Sequence, residues 1–185
     1  MHLDTLRIDH FDYQGYHKYR VINASHMSLN TGSFNLFSNP KFRLQTTDRE
    51  RTYPNFGLKE IRADLNIDTI DVKHVDVSYT EFNHKSDQPG TISFNNSSGR
   101  FLNVTTNKEA LTRNNICTVN VTSYFMNRGK LDVRFTFNLT DENLPFTYKG
   151  SVGPMDLTVL NPAVMTLGLI KINAGKLTRF DFDIK

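Results

Sequence analysis

A period of two in the apolar residues is the feature that most constrains the fold of this chain. From Leu131 to Leu139 every odd-numbered residue is apolar and every even-numbered residue is polar. Shorter segments around Val119, Phe146 and Phe182 alternate in the same way. Because successive side chains of a β-strand point to opposite faces, these segments are predicted to be strands with one apolar face. The sequence therefore predicts a mainly β, antiparallel fold.

One of these patterns occurs twice. The segment Asp4–Tyr13 recurs 64 residues later as Asp68–Val77, with Asp4, Thr5, His10 and Asp12 identical in the second copy. In each copy the alternation shifts by one residue near the histidine, which predicts a β-bulge at His10 and at His74. The repetition predicts a single β-repeat domain or a segment of a longer protein, with repeat units at about 1–64 and 65–128 and a hairpin region at 129–185.

Turn residues divide the strand patterns. The segment Asn127–Lys130 predicts a hairpin turn, with Gly129 able to take a positive φ, and breaks are also predicted at Asn30–Gly32, Asp87–Gly90 and Asn96–Gly99. At most one or two short helices are expected. One of them falls within Asp156–Thr166, with Pro162 in its first turn.

Composition excludes several classes of protein. The chain has 185 residues, a net charge of +3 and no run of about 18 apolar residues, so we expect no transmembrane segment. The stretch Lys41–Arg62 is basic but interspersed with acidic residues, and it is either a solvated loop or a contact for an anionic partner. Nucleic acid is not expected as a partner. The single cysteine, Cys117, excludes an intrachain disulfide and is predicted to be a buried thiol.

Catalytic motifs are not found in the sequence. It contains no P-loop, no G-x-G-x-x-G, no G-x-S-x-G and no H-E-x-x-H, so we predict a protein that is not an enzyme and needs no cofactor. His10 and His74 have two interpretations. They are ligands of one metal, with Asp12 and Asp76, or each lies at a bulge and satisfies a freed backbone group. We favour the second interpretation and expect no metal.

The apolar face of the strands is the remaining candidate for function. The chain contains 14 Phe and no Trp, and much of its Phe, Leu, Ile and Val lies at alternating positions. In a closed β-sandwich this face is a sealed core. In a curved sheet that stays open, it is a groove able to hold acyl chains. Alternation alone does not distinguish these two structures.

The succession of strands resembles the periplasmic repeats of bacterial AsmA-like proteins, the AsmA and TamB type. The resemblance rests on the segments Val75–Glu81, Gly129–Leu139, Phe146–Gly150, Met155–Pro162 and Ile170–Leu177. It implies a strongly curved sheet that forms a groove or half-barrel, related to bridge-like lipid transfer proteins. It also implies phospholipid transport or outer-membrane homeostasis in the periplasm of a Gram-negative bacterium, without catalysis.

On this interpretation the partners are phospholipid acyl chains, together with membrane-proximal proteins. The alternative is a closed β-sandwich that binds proteins through its loops. The residues predicted to contact lipid are the inward-facing apolar ones, Val119, Val121, Val133, Phe135, Phe137, Leu139, Ile170 and Ile172.

Overall fold

A computed structural model describes residues 2–39, 64–141 and 146–184. The basic stretch Lys41–Arg62 lies outside these ranges. The strands in chain order are β1 (His2–Asp9), β2 (Val21–Ser38), β3 (Asp64–Asn83), β4 (Gln88–Thr105), β5 (Ile116–Phe125), β6 (Gly129–Asn138), β7 (Phe146–Val152), β8 (Met155–Asp156), β9 (Lys176–Leu177) and β10 (Phe180–Ile184). The helices are α1 (Tyr13–Tyr19), α2 (Lys108–Arg113), α3 (Asn161–Leu167) and a 3₁₀ turn at Leu157–Leu160.

Eight strands form one sheet, in the order β1-β2-β3-β4-β5-β6-β7-β10, and β8 and β9 form a second, two-stranded sheet. The prediction of a mainly β fold is confirmed. The pairs are antiparallel except β2 and β3, which are parallel, so the prediction of a wholly antiparallel sheet was wrong at this pair. Residues 39–63 separate these two strands, and a connection of that length permits a parallel return. Alternation of side chains contains no information on strand direction.

The two copies of the repeated segment lie on either side of β2. Met27 in β2 is paired with Ile8 of β1 on one side and with Ile70 of β3 on the other. Because β1 is antiparallel to β2 and β3 is parallel to it, the two copies run in opposite directions. The division of the chain into repeat units stays a prediction.

The long strands contain local backbone irregularities, two of them where breaks were predicted. Thr31, His74 and Asn96 all have a positive φ, and the register between β3 and β4 shifts between Val72 and Val77. The predicted bulge at His74 is therefore confirmed. Asn30–Gly32 and Asn96–Gly99, by contrast, do not end a strand, because β2 and β4 each continue for 18 residues with partners on both sides.

The predicted hairpin between β5 and β6 is present, but the residues with a positive φ precede Gly129. Met126 and Asn127 have φ values of 52° and 55°, and Gly129 has no positive φ. Gly129 is required for space instead. A Cβ atom at this position would lie 2.8 Å from Met155 Sδ and 2.9 Å from Val152 Cγ1.

Three short α-helices are present in the described residues, one more than the upper limit expected. Asp12 and Asn107 cap the first two through side-chain oxygens that accept from the Gly15 and Ala110 backbone N–H groups. Helix α1 begins inside the first repeated segment, where a strand was predicted up to Tyr13. The predicted helix in Asp156–Thr166 is confirmed as the 3₁₀ turn and α3, with Pro162 in the first turn.

The buried residues form two apolar clusters. The first lies at the end of the sheet near α2 and consists of Ala24, Leu65, Ile67, Val104, Cys117, Val119 and Phe137. The second lies near the β5–β6 hairpin and consists of Leu131, Val152 and Met155. Cys117 is 1% exposed, and burial raises the pKa of its thiol to about 11, which confirms the prediction of a buried thiol.

Helix α3 packs against the sheet at the end where β3 turns into β4. The Asn83 amide donates to the carbonyl oxygens of Thr166 and Leu167 at 2.8 and 3.1 Å. Leu167 packs over Gly90, where a Cβ atom would lie only 2.5 Å from Leu167 Cγ. The helix thus covers the apolar side of this sheet end, beside the second cluster.

Candidate functional site: an apolar groove

Cross-strand pairing places the alternating apolar residues of β5, β6 and β7 on one face. Phe135 in β6 lies opposite Val119 of β5 and Tyr148 of β7. Two residues away on β6, Val133 lies opposite Val121 and Gly150. These rows join the two clusters, so the apolar face is continuous across the central strands.

A groove is open on this face next to the second cluster. Its volume is about 370 Å³, and every residue that lines it is aliphatic or aromatic. Tyr148 supplies the only side-chain polar atom of the set. The lining residues are Phe94, Phe125, Leu131, Val133, Phe135, Tyr148, Val152, Phe180 and Phe182. We call this set the apolar groove.

Aromatic rings form most of the walls of the apolar groove. The ring centroids of Phe94 and Phe125 are 5.5 Å apart, and those of Phe135 and Tyr148 are 5.8 Å apart. Phe182 lies 6.0 Å from Tyr148 at the next strand. These separations are those of favourable ring contacts, so neighbouring strands hold the walls in place.

Gly150 in β7 leaves room for the Phe182 ring of β10. A Cβ atom at this position would lie 2.2 Å from the Asp132 carbonyl oxygen and 2.9 Å from Phe182 Cζ. Any side chain here would displace the Phe182 ring or the β6 backbone. The shape of the groove at β10 therefore depends on a glycine in β7.

The predicted contact residues are divided among three locations. Val133 and Phe135 line the apolar groove. Val119 and Phe137 are buried in the first cluster, with 4% and 5% of their surface exposed, and Val121 and Leu139 pack against it. The structure thus brings six of the eight residues to the same apolar face.

Ile170 and Ile172 were predicted on a strand, and this prediction was wrong. Both lie in the irregular segment between α3 and β9, where Ile170 is 64% exposed. The Asn161 amide group pairs with the Ile172 backbone through two 2.9 Å hydrogen bonds. A side chain thus replaces a neighbouring strand as the backbone partner, although the apolar–polar spacing is that of a strand.

Sequence reasoning missed most of the groove. Phe180 and Phe182 alternate visibly, but only the register of β10 against β7 places them beside Tyr148. Phe94 was missed because the pairing of β4 with β5 is irregular between Asn95 and Ser98. The side chains of β4 that point to the apolar face are at even-numbered positions before this irregularity and at odd-numbered positions directly after it. The pairing of Phe94 with Phe125 could not be read from one sequence.

A charge network lies on the opposite, polar face of β1–β4. His26 Nδ1 is 3.1 Å from Asp9 Oδ2, and His26 Nε2 is 3.2 Å from Asp71 Oδ2. Arg100 donates two hydrogen bonds to Asp71, at 2.7 and 2.9 Å, and Arg7 donates one to Asp9 at 2.7 Å. The network connects four strands through their side chains.

The network shifts the protonation of its members. The hydrogen bonds from Arg100 and then from His26 hold the pKa of Asp71 at about 2. Contact with Asp9 and then with Asp71 raises the pKa of His26 above its ordinary value. The hydrogen bond from Arg7, followed by that from His26, lowers the pKa of Asp9. No sequence motif marks this network, because its residues are far apart along the chain.

The two repeated histidines do not meet. His10 Nδ1 lies 2.8 Å from the Ser25 hydroxyl, and His74 Nδ1 lies 2.8 Å from Asn96 Oδ1. Both rings therefore contact side chains rather than freed backbone groups. Across residues 2–39, 64–141 and 146–184, no three His, Cys, Asp or Glu side chains come together in a group that could hold a metal ion.

Among the described residues, no helix has the length and apolar character needed to cross a membrane. Comparison with known proteins found no match to any family model, curated protein or solved structure.

Proposed function

We propose that this chain is a non-enzymatic lipid-binding segment whose apolar groove holds an acyl chain. The observation that carries the proposal is the composition of the groove, in which nine apolar or aromatic residues line about 370 Å³. Pockets for small ligands lie in roughly the range of 300–1,000 Å³ and are lined mainly by such side chains. The lining offers no charged group, and its one polar side-chain atom is the Tyr148 hydroxyl, which suits a ligand held mainly by apolar contact.

Burial of methylene groups supplies the driving force for such binding. Each buried CH₂ group contributes about 0.8 kcal/mol. Burial of about ten of them therefore gives ~8 kcal/mol, which corresponds to a dissociation constant of about 1 μM before the costs of association. A single acyl chain is long enough to provide this number.

The biological setting belongs to the same proposal. We place the chain among AsmA-like proteins of the Gram-negative periplasm, where a strongly curved sheet would carry phospholipid between membranes. The continuous apolar face supports this assignment, because it extends from the apolar groove along β5–β7 into the first cluster. The acyl chain would bind in the apolar groove, the open part of this face, without a covalent step.

A fluorescent fatty acid titrated into the purified chain tests the proposal. Phe180→Asp places a carboxylate at the rim of the apolar groove, at a side chain that is already 54% exposed, so the fold should tolerate it. We expect saturable binding to the wild type and a loss of affinity of at least about tenfold in this variant. Ile184→Asp is the matched control, since Ile184 is on the same strand, is 44% exposed and does not line the groove.

The control variant should bind as the wild type does. Absence of saturable binding by the wild type, or equal binding by the wild type and Phe180→Asp, would contradict the proposal. A sealed interior that excludes the probe is the result expected of a closed scaffold module.

A further inference from the structure

Exposed aromatic and basic side chains are concentrated on α1 and the residues next to it. Tyr13, Tyr16 and Tyr19 recur every third residue, so neighbouring tyrosines lie one turn apart along the helix. Tyr13 and Tyr19 are 64% and 63% exposed, and no residue of α1 is buried. We call the set Phe11, Tyr13, Tyr16, His17, Lys18, Tyr19 and Arg20 the aromatic–basic patch.

The rings and the cations of the patch are in contact. Lys18 Nζ lies 4.9 Å from the centroid of the Tyr19 ring, and Arg20 Cζ lies 5.7 Å from that of Tyr16. Phe11 contacts Tyr16 with ring centroids 5.6 Å apart. Cations and aromatic rings are thus presented together on one surface.

Hydrogen bonds at its N-cap residue, Asp12, hold the helix in place, and they do not involve the side chains of the patch. The Asp12 backbone N–H donates to the Asn23 carbonyl oxygen at 2.9 Å, and the Asp12 carboxylate accepts from the Gly15 N–H at 2.8 Å. Asp12 is the only carboxylate in residues 11–20, and capping the helix occupies it. The side chains of the patch are therefore presented to solvent with a positive charge.

We propose that the aromatic–basic patch docks the protein on the surface of an anionic lipid bilayer. Tyrosine rings have an apolar body and a polar tip, which suits the headgroup region of a membrane. Lys18 and Arg20 are complementary to the negative charge of anionic headgroups. Because Lys18 and Arg20 already lie against the rings of Tyr19 and Tyr16, the rings and the cations can contact an anionic surface together without a change in the helix.

The patch and the apolar groove lie at opposite ends of the sheet. Helix α1 precedes the start of β2, which pairs with the start of β3, whereas the groove adjoins the β5–β6 hairpin and the second cluster. Docking by the patch is therefore separable from acyl-chain binding, and one can fail while the other holds.

Sedimentation with large unilamellar vesicles tests the docking site in the full chain. We expect the wild type to bind vesicles of phosphatidylcholine with phosphatidylglycerol, and to bind vesicles of phosphatidylcholine alone at least about tenfold more weakly. Tyr13→Ser with Tyr19→Ser, and separately Lys18→Gln with Arg20→Gln, should each reduce binding to the anionic vesicles by roughly tenfold. Both double variants should bind the fluorescent fatty acid as the wild type does.

Two controls match these changes at sites far from α1. Tyr124→Ser removes a tyrosine that is 40% exposed on β5. Arg134→Gln with Lys149→Gln removes two exposed cations from β6 and β7. Both controls should retain vesicle binding, and so should the groove variant Phe180→Asp.

Four results would each overturn the proposal. The first is that the wild type does not bind anionic vesicles, and the second is that both patch variants bind them as the wild type does. The third is that the controls lose as much binding as the patch variants. The fourth is that the patch variants lose binding to a single-stranded oligonucleotide while they keep binding to vesicles. Circular dichroism of each variant verifies that a loss of binding is not a loss of fold.

Discussion

Asp71 Oδ2 lies 3.2 Å from His26 Nε2 and connects the only parallel pair of strands in the eight-stranded sheet. The other ring nitrogen of His26 contacts Asp9 on β1 at 3.1 Å. A protonated imidazole donates to both carboxylates, whereas a neutral ring has only one N–H to donate. The protonation of one histidine therefore affects how β1, β2 and β3 are held together.

Stability is expected to depend on pH through this network. Because the pKa of His26 is raised in the folded state, its stabilisation is complete below the ordinary value of 6.5 and is lost as the pH rises through the raised value. Because the pKa of Asp71 is lowered to about 2, its stabilisation is present above the ordinary value of 3.8 and is lost as the pH falls. The contribution of these two groups to the free energy of unfolding should therefore be highest between pH 3.8 and pH 6.5.

Urea denaturation at about pH 5.5 and about pH 8.5 measures the histidine contribution. The wild type should lose stability between the two values, and His26→Gln should lose less. The replacement Asp68→Asn, at an exposed carboxylate of β3, the strand that also carries Asp71, should retain the wild-type pH dependence. A profile of His26→Gln that coincides with the wild type would exclude the network as its cause.

Two glycines close together in the chain should respond differently to alanine. A Cβ atom at Gly150 meets the Asp132 carbonyl oxygen at 2.2 Å, whereas at Gly153 its nearest neighbour is 3.4 Å away. We expect Gly150→Ala to lower the free energy of unfolding by about 1–3 kcal/mol. Gly153→Ala should change it by less than about 0.5 kcal/mol. Equal effects in urea denaturation would contradict the packing described at Gly150.

Phe137 anchors the first cluster and should be costly to truncate. It is 5% exposed and stacks on Phe135 and Phe146 with ring centroids 6.0 Å away in both pairs. Phe137→Ala should destabilise the protein by about 3–5 kcal/mol. Phe37→Ala, at a side chain that is 66% exposed, should cost less than about 0.5 kcal/mol in the same thermal or urea unfolding experiment. Comparable losses would mean that Phe137 is not in a packed core.

The thiol of Cys117 should resist modification in the native protein. It is 1% exposed and its pKa is raised to about 11, so little thiolate forms at neutral pH. We expect slow reaction with Ellman's reagent in buffer and rapid reaction with one thiol per chain in denaturant. Complete reaction of the native protein as fast as that of the unfolded chain would refute its burial.

The sequence predicted the strands best where both neighbours are antiparallel and regular. Val119, Val133 and Phe135 were assigned to a common apolar face from alternation alone, because an unbroken strand reverses its side chains at every residue. The alternation does not specify which strand lies next to which. The groove depends on that order, since β10 brings Phe180 and Phe182 to β7.

The remaining errors also have physical causes. Thr31 and Asn96 lie in turn-like sequences, yet pairing on both sides keeps β2 and β4 extended through a local positive φ. The Asn161 amide supplies the hydrogen bonds of a missing strand at Ile172. In both cases the local structure depends on contacts with residues distant in the chain, and a short window of sequence does not reveal those contacts.

Photo-crosslinking with a phospholipid that carries a diazirine in one acyl chain tests the central claim most directly. After the crosslinked protein is digested, the peptides that carry lipid are identified by mass spectrometry. The account predicts crosslinks concentrated on the apolar groove, at residues such as Phe94, Phe125 and Phe182, and suppressed by excess unlabelled lipid. Crosslinks on the polar face, around Thr122 and Arg134, or labelling that excess lipid does not suppress, would contradict it.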